Sequence, residues 1–335
     1  APGRFFNDAA GDQVTVTDAD LAHGIIDPNY FLGGRKSLNK DKALKLIEEQ
    51  IARPLKLKVH EAAAGVHEIV NAKMSDLIRR QVVRTGYLPE EFVIYAFGGA
   101  GAVHASGFAA ELGIKQIYIF ATSPVFSAFG AAAADVIRTR VMSCQYILPA
   151  NPAVINQRLD GIEKEMSADM NGQGFKPSRV EFRRFFTIRY RRQSAGVEMP
   201  VGWERFNPKR MIEMQSAFEK KYEELYGVGS GYAKAGIEIS EIRVDAVGKV
   251  AKPRLTAKRK SNRDARSARK GKRDIFFTRP ERKFIDTPVY DYDRLGVGAV
   301  VRGPAVIELP FTTALVPPEH RVSIDPYLNL VMQLP

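Results

Sequence analysis

The chain has 335 residues, 45% of them hydrophobic and 26% charged, enough for a sizeable core and about two domains. No apolar run approaches the roughly twenty residues that cross a bilayer, which excludes a helical membrane span. The single cysteine, Cys144, excludes an internal disulfide and fits a reducing, cytoplasmic compartment. No secretory signal is recognisable, and because the chain opens on Ala1 rather than Met, its first residue need not be the first of its gene.

Residues 1–34 read as irregular, with turn signals at Pro2-Gly3, Asn7-Asp8 and Gly11-Asp12 and a short strand at Val14 to Thr17. Thr17 and Asp18 then cap a short helix from Ala19 to Gly24, and the apolar loop Phe31-Leu32-Gly33-Gly34 must dock on something. A helix from Asn39 or Lys40 to about Arg53 places Leu44, Ile47 and Ile51 on one face. A longer one, Glu61 to Arg84, turns Ala64, Ile69, Ala72, Ile78 and Val82 inward and Arg79, Arg80 and Arg84 outward. His60 and His67 lie two turns apart on it, about 10 Å by helix rise, too far for one metal ion. Satisfied or solvent-facing imidazoles are the expectation there.

The chain is organised around residues 92–107. Val93, Ile94 and Tyr95 form a β-rich run suited to a strand covered on both faces. Gly98, Gly99 and Gly101 remove the Cβ atoms, so the backbone can turn sharply or approach a ligand, and a small-residue helix runs from Ala102 to Leu112. A helix start beside such a turn suits a phosphate, a polar ligand edge or merely a tight loop. Neither a dinucleotide fingerprint nor a P-loop fits: His104 stands where the third glycine of the former would fall, and no Gly-Lys-Ser/Thr is present. His104 itself either touches a ligand or caps and packs the helix.

A second apolar strand, Ile117 to Phe120, and a second small-residue helix, Phe126 to Ala134, complete an α/β layer. Arg138 to Leu148 leads out as a strand to a boundary at Asn151-Pro152. Beyond it come a helix at 153–170, strands at Arg179 to Tyr190 and Val197 to Val201, a helix at Pro208 to Tyr226 and a strand at Ile237 to Val250. On the 208–226 helix, Met211, Phe218, Tyr222 and Leu225 point inward. Short strands follow at Asp274 to Phe277, Thr287 to Tyr290, Ala299 to Val301, Ala305 to Glu308, Ala314 to Val316 and Asn329 to Leu334.

The net charge of +12 is concentrated between Arg254 and Arg273, where ten Lys/Arg face one acid, Asp264. That run reads as a solvated linker or arm that docks on an acidic partner. An RNA-binding role is the alternative, disfavoured because no aromatic residue is interleaved to stack on bases.

Several stretches, in order along nearly the whole chain, resemble the C-terminal half of the hydantoinase A/5-oxoprolinase family. They are Val16 to Ala19, Phe31 to Gly34, Phe97 to His104 (Phe-Gly-Gly-Ala-Gly-Ala-Val-His), Glu111 to Ile114, Phe126 to Gly130 with Ala134-Asp135, Arg189-Tyr190 with Gln193-Ser194, Tyr226-Gly227, Gly303 to Glu308, Thr312-Thr313 and Val316 to Pro318. The family is similar to the actin and sugar-kinase superfamily, and its members include ATP-dependent cyclic-amide hydrolases and the carboxylases for acetone and acetophenone. The resemblance implies an α/β actin-like ATPase lobe with a helical insertion, then an α+β region and a small all-β module. It implies ATP with Mg²⁺ as cofactors, and Gly98, Gly99, Ala100, Gly101 and His104 on the adenosine side. Ala102 replaces the family's usual Pro after the loop.

The family's phosphate-binding and acidic-glycine loops belong to its N-terminal half and are not found here, so the chain resembles a half subunit, split by gene or by proteolysis. The implied partners are a chain bearing that N-terminal half and a hydantoinase B-like subunit, in a hetero-oligomer without membrane or nucleic acid. The implied activity is substrate activation by phosphorylation, with Phe129 leaning toward ketone carboxylation over cyclic-amide hydrolysis; a non-catalytic scaffold is the alternative. The domain expectation is 1–91 irregular and helical, 92–150 α/β, 151–253 α+β, 254–273 basic linker and 274–335 all-β.

Overall fold

The computed structural model describes residues 11–261 and 264–335. The turns expected at Pro2-Gly3 and Asn7-Asp8, and Arg263 of the basic run, lie outside them. The helices are α1 (Val16–Ala22), α2 (Lys40–Ile47), α3 (Arg53–Leu55), α4 (Val59–Val83), α5 (Gly101–Glu111), α6 (Phe126–Ala133), α7 (Pro152–Gly172) and α8 (Pro208–Tyr226). The strands are β1 (Ile94–Ala96), β2 (Gln116–Ile119), β3 (Val136–Ile147), β4 (Val180–Tyr190), β5 (Val197–Val201), β6 (Ile237–Gly248), β7 (Arg269–Phe277), β8 (Lys283–Asp291), β9 (Val300–Arg302), β10 (Ala305–Leu309), β11 (Thr312–Val316), β12 (Arg321–Ile324) and β13 (Leu330–Gln333).

The chain divides into two compact units, Ala1–Gly130 with Arg254–Pro335, and Ala131–Pro253. The first contains a mixed sheet in the order β1-β2-β13-β12-β9 and a second sheet in the order β11-β10-β8-β7. β1 and β2 run parallel, Ile94 opposite Ile117, and β13 pairs antiparallel with β2, Ile119 opposite Leu330. Three C-terminal strands therefore complete the sheet that begins at residue 94, and the expected separate 274–335 module is not what forms. The edge of β2 exposes N–H and C=O groups that need partners, and β13 supplies them from two hundred positions away. Such a non-local pairing leaves no trace in local periodicity. α5 packs between these sheets, its Ala105, Phe108, Ala109 and Leu112 in one core with Ile117, Ile119, Ile307, Val316 and Met332.

The short strand expected at Val14 to Thr17 is the start of a helix. Thr15 is the N-cap of α1: its backbone N–H donates to Asp18 Oδ2 at 2.9 Å, and its hydroxyl accepts from the Asp18 backbone. This capping box outweighs the β preference of the Val-Thr-Val-Thr run. Ala19 and Ala22 of α1 pack against Ala62 and Ala63 of α4, a close approach that only small side chains permit. α4 does not turn Ile69 or Ala72 inward; its buried residues are Ala62, Ala63, Ala64, His67, Asn71 and Ser75. Phe31 of the loop at 31–34 docks as expected, packing beside Leu21, Leu38 and Ala43, while Leu32 is 40% exposed.

β1 is not covered on both faces. Tyr95 is 56% exposed and Phe97 48%, and Tyr95, Phe120 and Phe126 form an aromatic row with ring centroids 5.0 and 4.3 Å apart. None of the α6 residues is buried.

The basic run is not a free arm throughout. β7 begins at Arg269, and the Arg273 guanidinium reaches inward to the carbonyls of Gly24 and Ile25. Upstream, the Lys258 N–H donates to the carbonyl of Pro326 and the Ser261 N–H to that of Val297. Backbone pairing takes up part of this segment, and Arg273 and Lys270 turn toward the buried Glu308 carboxylate.

The second unit is an antiparallel sheet in the order β3-β6-β4-β5. Ile155, Leu159, Met166 and Met170 of α7 and Met211, Met214 and Phe218 of α8 pack on Phe186, Ile188, Ile239, Ile242 and Val244. The inward face of α8 is as expected except that Leu225 is 54% exposed.

Candidate functional site

The chain leaves β1 at Ala96 and turns at Gly98, whose φ of +82° favours glycine. The Gly98 N–H donates to the Ser123 carbonyl at 2.8 Å, while the Ser123 hydroxyl donates to the Ala96 carbonyl at 3.0 Å. From the other side the Thr312 hydroxyl donates to the Gly99 carbonyl at 2.8 Å. The loop is thus held at both ends before α5 begins at Gly101.

Gly99 itself has no internal reason to be glycine. Its φ lies outside the left-handed region, and a Cβ there would meet nothing nearer than the Phe311 carbonyl at 4.0 Å. Ala100, the N-cap of α5, makes no side-chain cap, and no acidic residue occupies the first turn. No side chain caps the leading N–H groups of the helix, although the Val103 N–H already donates to the Ala100 carbonyl at 3.0 Å. Beside the loop a cavity of about 40 Å³ is lined by Gly99, Tyr30, Val103, Glu308, Phe311 and Thr312.

Gly98, Gly99, Ala100 and Gly101 form the continuous turn from β1 into the start of α5. His104 does not join them. It lies one turn into α5, 3% exposed, and faces inward to Asn71 and Asp20. Packing of α5 beside α4 decides this, turning the third residue past Gly101 toward Asn71 and Asp20 rather than over the loop.

The inward direction leads to a second cluster. Asp20 of α1, His67 of α4 and His104 of α5 are all buried, and one donor atom from each lies within 4.8 Å of the others. His67 Nδ1 stands 2.9 Å from Asp20 Oδ1, and His104 Nε2 stands 3.3 Å from Asp20 Oδ2. The His67 and His104 rings lie 4.5 Å apart, centre to centre. Burial alone would raise the Asp20 carboxyl, but the neighbouring His104 and His67 imidazoles outweigh it and hold the group below its ordinary range. His23, 1% exposed, is pushed down to about 4 by burial and by His67, so its imidazole is neutral at physiological pH.

His67 and Asn71 also line a cavity of about 130 Å³, together with His23, Ser106, Phe276 and His320. The His60 ring packs edge-on against Phe284, 4.7 Å away, and lies 6.1 Å from Phe276. All five histidines of the chain thus gather in one region. The expectation of satisfied or solvent-facing imidazoles holds for His67, which is bonded to Asp20, and fails for His60, whose Nδ1 is buried without a hydrogen-bond partner among the described residues.

Asp20 and Asn71 were not singled out by the sequence reading. A signal was present, because His67, Asn71 and Ser75 recur every four residues, on the same face as Ala63 and Ala64. A reading weighted by hydrophobicity passes over a buried face built from polar side chains.

Two family models match: Hydantoinase/oxoprolinase over residues 1–140, and the Hydantoinase/oxoprolinase C-terminal domain over residues 148–332. The chain belongs to the hydantoinase/oxoprolinase family. It is 32% identical to the acetophenone carboxylase gamma subunit of Aromatoleum aromaticum, over 97% of this chain and 45% of that one. It is 28% identical to caprolactamase subunit alpha of Pseudomonas jessenii, over 97% of this chain and 47% of the other.

Among solved structures it resembles nucleotide-free acetone carboxylase, with a TM-score of 0.87 and 26% identity over 99% of this chain and 48% of that one. ATP-dependent caprolactamase from Pseudomonas jessenii gives a TM-score of 0.76 and 28% identity over the same shares. The chain spans about half the length of these relatives. No helix among the described residues is long and apolar enough to cross a membrane.

Proposed function

We propose that this chain is part of a subunit of a multi-subunit, ATP-dependent enzyme, and that Gly98, Gly99, Ala100 and Gly101 form the adenosine side of its nucleotide site. The observation that carries this reading is Gly99, where neither backbone nor packing requires the missing Cβ. A side chain there would be an obstacle only to something outside the chain. The uncapped start of α5 supplies N–H donors to the same approach, and Ser123 and Thr312 keep the loop in place without reorganisation.

When bound, ATP would supply the phosphoryl group that turns an unreactive oxygen into a leaving group. This chain's share is to bind and orient the nucleoside end. With no carboxylate in the first turn of α5, the groups that hold the phosphates and Mg²⁺ are assigned to a partner bearing the family's phosphate loops, with a hydantoinase B-like subunit completing the complex. The exposed aromatic row of Tyr95, Phe120 and Phe126 supports such a partner, being an apolar surface of the kind that protein contacts cover. Ketone carboxylation is preferred to cyclic-amide hydrolysis, on Phe129 and on the acetophenone and acetone carboxylase relatives.

The test is an ATP titration of the isolated chain and of the chain reconstituted with its partner, each with Mg²⁺. Tight binding is expected only in the complex, and Gly99→Val should weaken it at least 10-fold while assembly persists. Tight Mg²⁺-dependent binding by the chain alone would overturn the shared site, and indifference to Gly99→Val would leave a non-catalytic scaffold as the reading.

A further inference from the structure

We propose that Asp20, His67 and His104 form a binding site for one divalent transition-metal ion of the zinc class, separate from the glycine loop. Two imidazoles and a carboxylate, from three different helices, present one donor atom each within 4.8 Å, a spacing that a small closing movement brings to the roughly 3.5 Å between neighbouring ligands of one tetrahedral ion. Chance surface clusters do not look like this, since all three side chains are buried.

The hydrogen bonds point the same way. His104 Nδ1 lies 3.0 Å from Asn71 Oδ1, so the ring donates its Nδ1 proton there and, when neutral, carries a lone pair on Nε2. That Nε2 is buried and has no hydrogen-bond partner, although Asp20 Oδ2 stands 3.3 Å away. A lone pair facing a carboxylate oxygen is repulsive unless a positive charge lies between them. A metal ion between the two atoms removes the conflict, with Asn71 holding the Nδ1 proton on the far side of the ring.

On His67, the ion would take the place of the proton now shared by Nδ1 and Asp20 Oδ1. Asn71 then acts as the outer partner that fixes the His104 tautomer. Its own position is made possible by Gly107, where any Cβ would collide with the Asn71 amide. The remaining coordination position falls to water or an oxygen donor entering through the cavity of about 130 Å³ that His67 and Asn71 line.

The experiment is titration of the metal-stripped chain with Zn²⁺ and with Co²⁺, whose visible bands report coordination by nitrogen and oxygen. One equivalent is expected, with Asp20→Asn and His67→Gln each weakening it at least 100-fold and Asn71→Ala about 10–100-fold. Because the buried Asp20 and His67 variants can fail to fold, the unmodified chain carries a second measurement, ¹⁵N spectra of its histidine rings. Zinc should move the ring nitrogens of His67 and His104 together and saturate at one equivalent. Absence of stoichiometric binding, or His67 and His104 resonances that ignore zinc and show a His104 imidazolium throughout, would overturn the proposal.

Discussion

Arg273 and Glu308 meet across 35 positions of sequence, the Arg273 Nη1 donating to Glu308 Oε1 at 2.5 Å, with the Glu308 side chain only 1% exposed. The other edge of the same guanidinium donates to the carbonyls of Gly24 and Ile25, at 2.7 and 2.5 Å. One planar, five-donor group thereby ties β7 to β10 and to the segment leaving α1. Lys270 also pairs with Glu308.

Removing the carboxylate while keeping the cations should therefore be costly. Glu308→Leu leaves Arg273 and Lys270 without their anion, and an expected loss of about 3–5 kcal/mol follows from breaking a buried pair on one side. Urea denaturation checks this, and the double variant with Arg273→Met should lose less than the two single losses added. Additive losses would show that the two side chains act independently.

Gly24 and Gly34 test what backbone conformation alone is worth. Both have positive φ, +78° and +81°, so alanine at either position carries the left-handed penalty of about 1–2 kcal/mol. At Gly24 a Cβ would also run into the Asp274 carbonyl, whereas at Gly34 the nearest atom is the Asn29 carbonyl at 3.7 Å. Gly24→Ala is expected to lower the melting temperature clearly more than Gly34→Ala, and equal shifts would deny the close contact.

Cys144 should be a poor nucleophile in the folded chain. Burial, with Glu241 and Glu238 nearby, pushes its thiol up to about 11, against an ordinary 9.0. Its thiolate fraction at neutral pH falls about 100-fold, so a disulfide reagent should react slowly until denaturant is added. The unfolded thiol ionises first as pH rises, so this group's contribution to stability is present below pH 9 and is lost between pH 9 and about 11. Rapid labelling of the native chain would contradict the burial.

The aromatic row beside β1 makes a prediction about assembly. Tyr95 is 56% exposed and lies 5.0 Å from Phe120 between ring centres. Tyr95→Lys should change the stability of the isolated chain by no more than about 0.5 kcal/mol. Association with the proposed partner should weaken at least 10-fold, read by sedimentation or light scattering. An unchanged complex would place the partner elsewhere.

Much of this protein is written in short stretches of its sequence. The glycines at 98, 99 and 101 mark a turn between a strand and a helix, and Met211 and Phe218 at helical spacing mark the buried side of α8. These features are local, because they depend on Cβ sterics and on a period of 3.6 residues, which any window of the chain displays. The family motifs, too, are legible as linear text.

Tertiary structure decided the rest. Whether β13 completes the sheet of β1 and β2 depends on which strand edge is left unpaired, and this is known only once the chain has folded back on itself. The direction of His104 is similarly undetermined by its place after Gly101; packing of α5 beside α4 brings it to Asn71, and Asp20 arrives from a helix more than eighty positions earlier. Arg273 belongs to a run that looks solvated in sequence, yet a buried Glu308 draws it inward. Charges and imidazoles find their partners through space, over distances that sequence spacing does not encode, and that is why the buried cluster had to be seen in three dimensions.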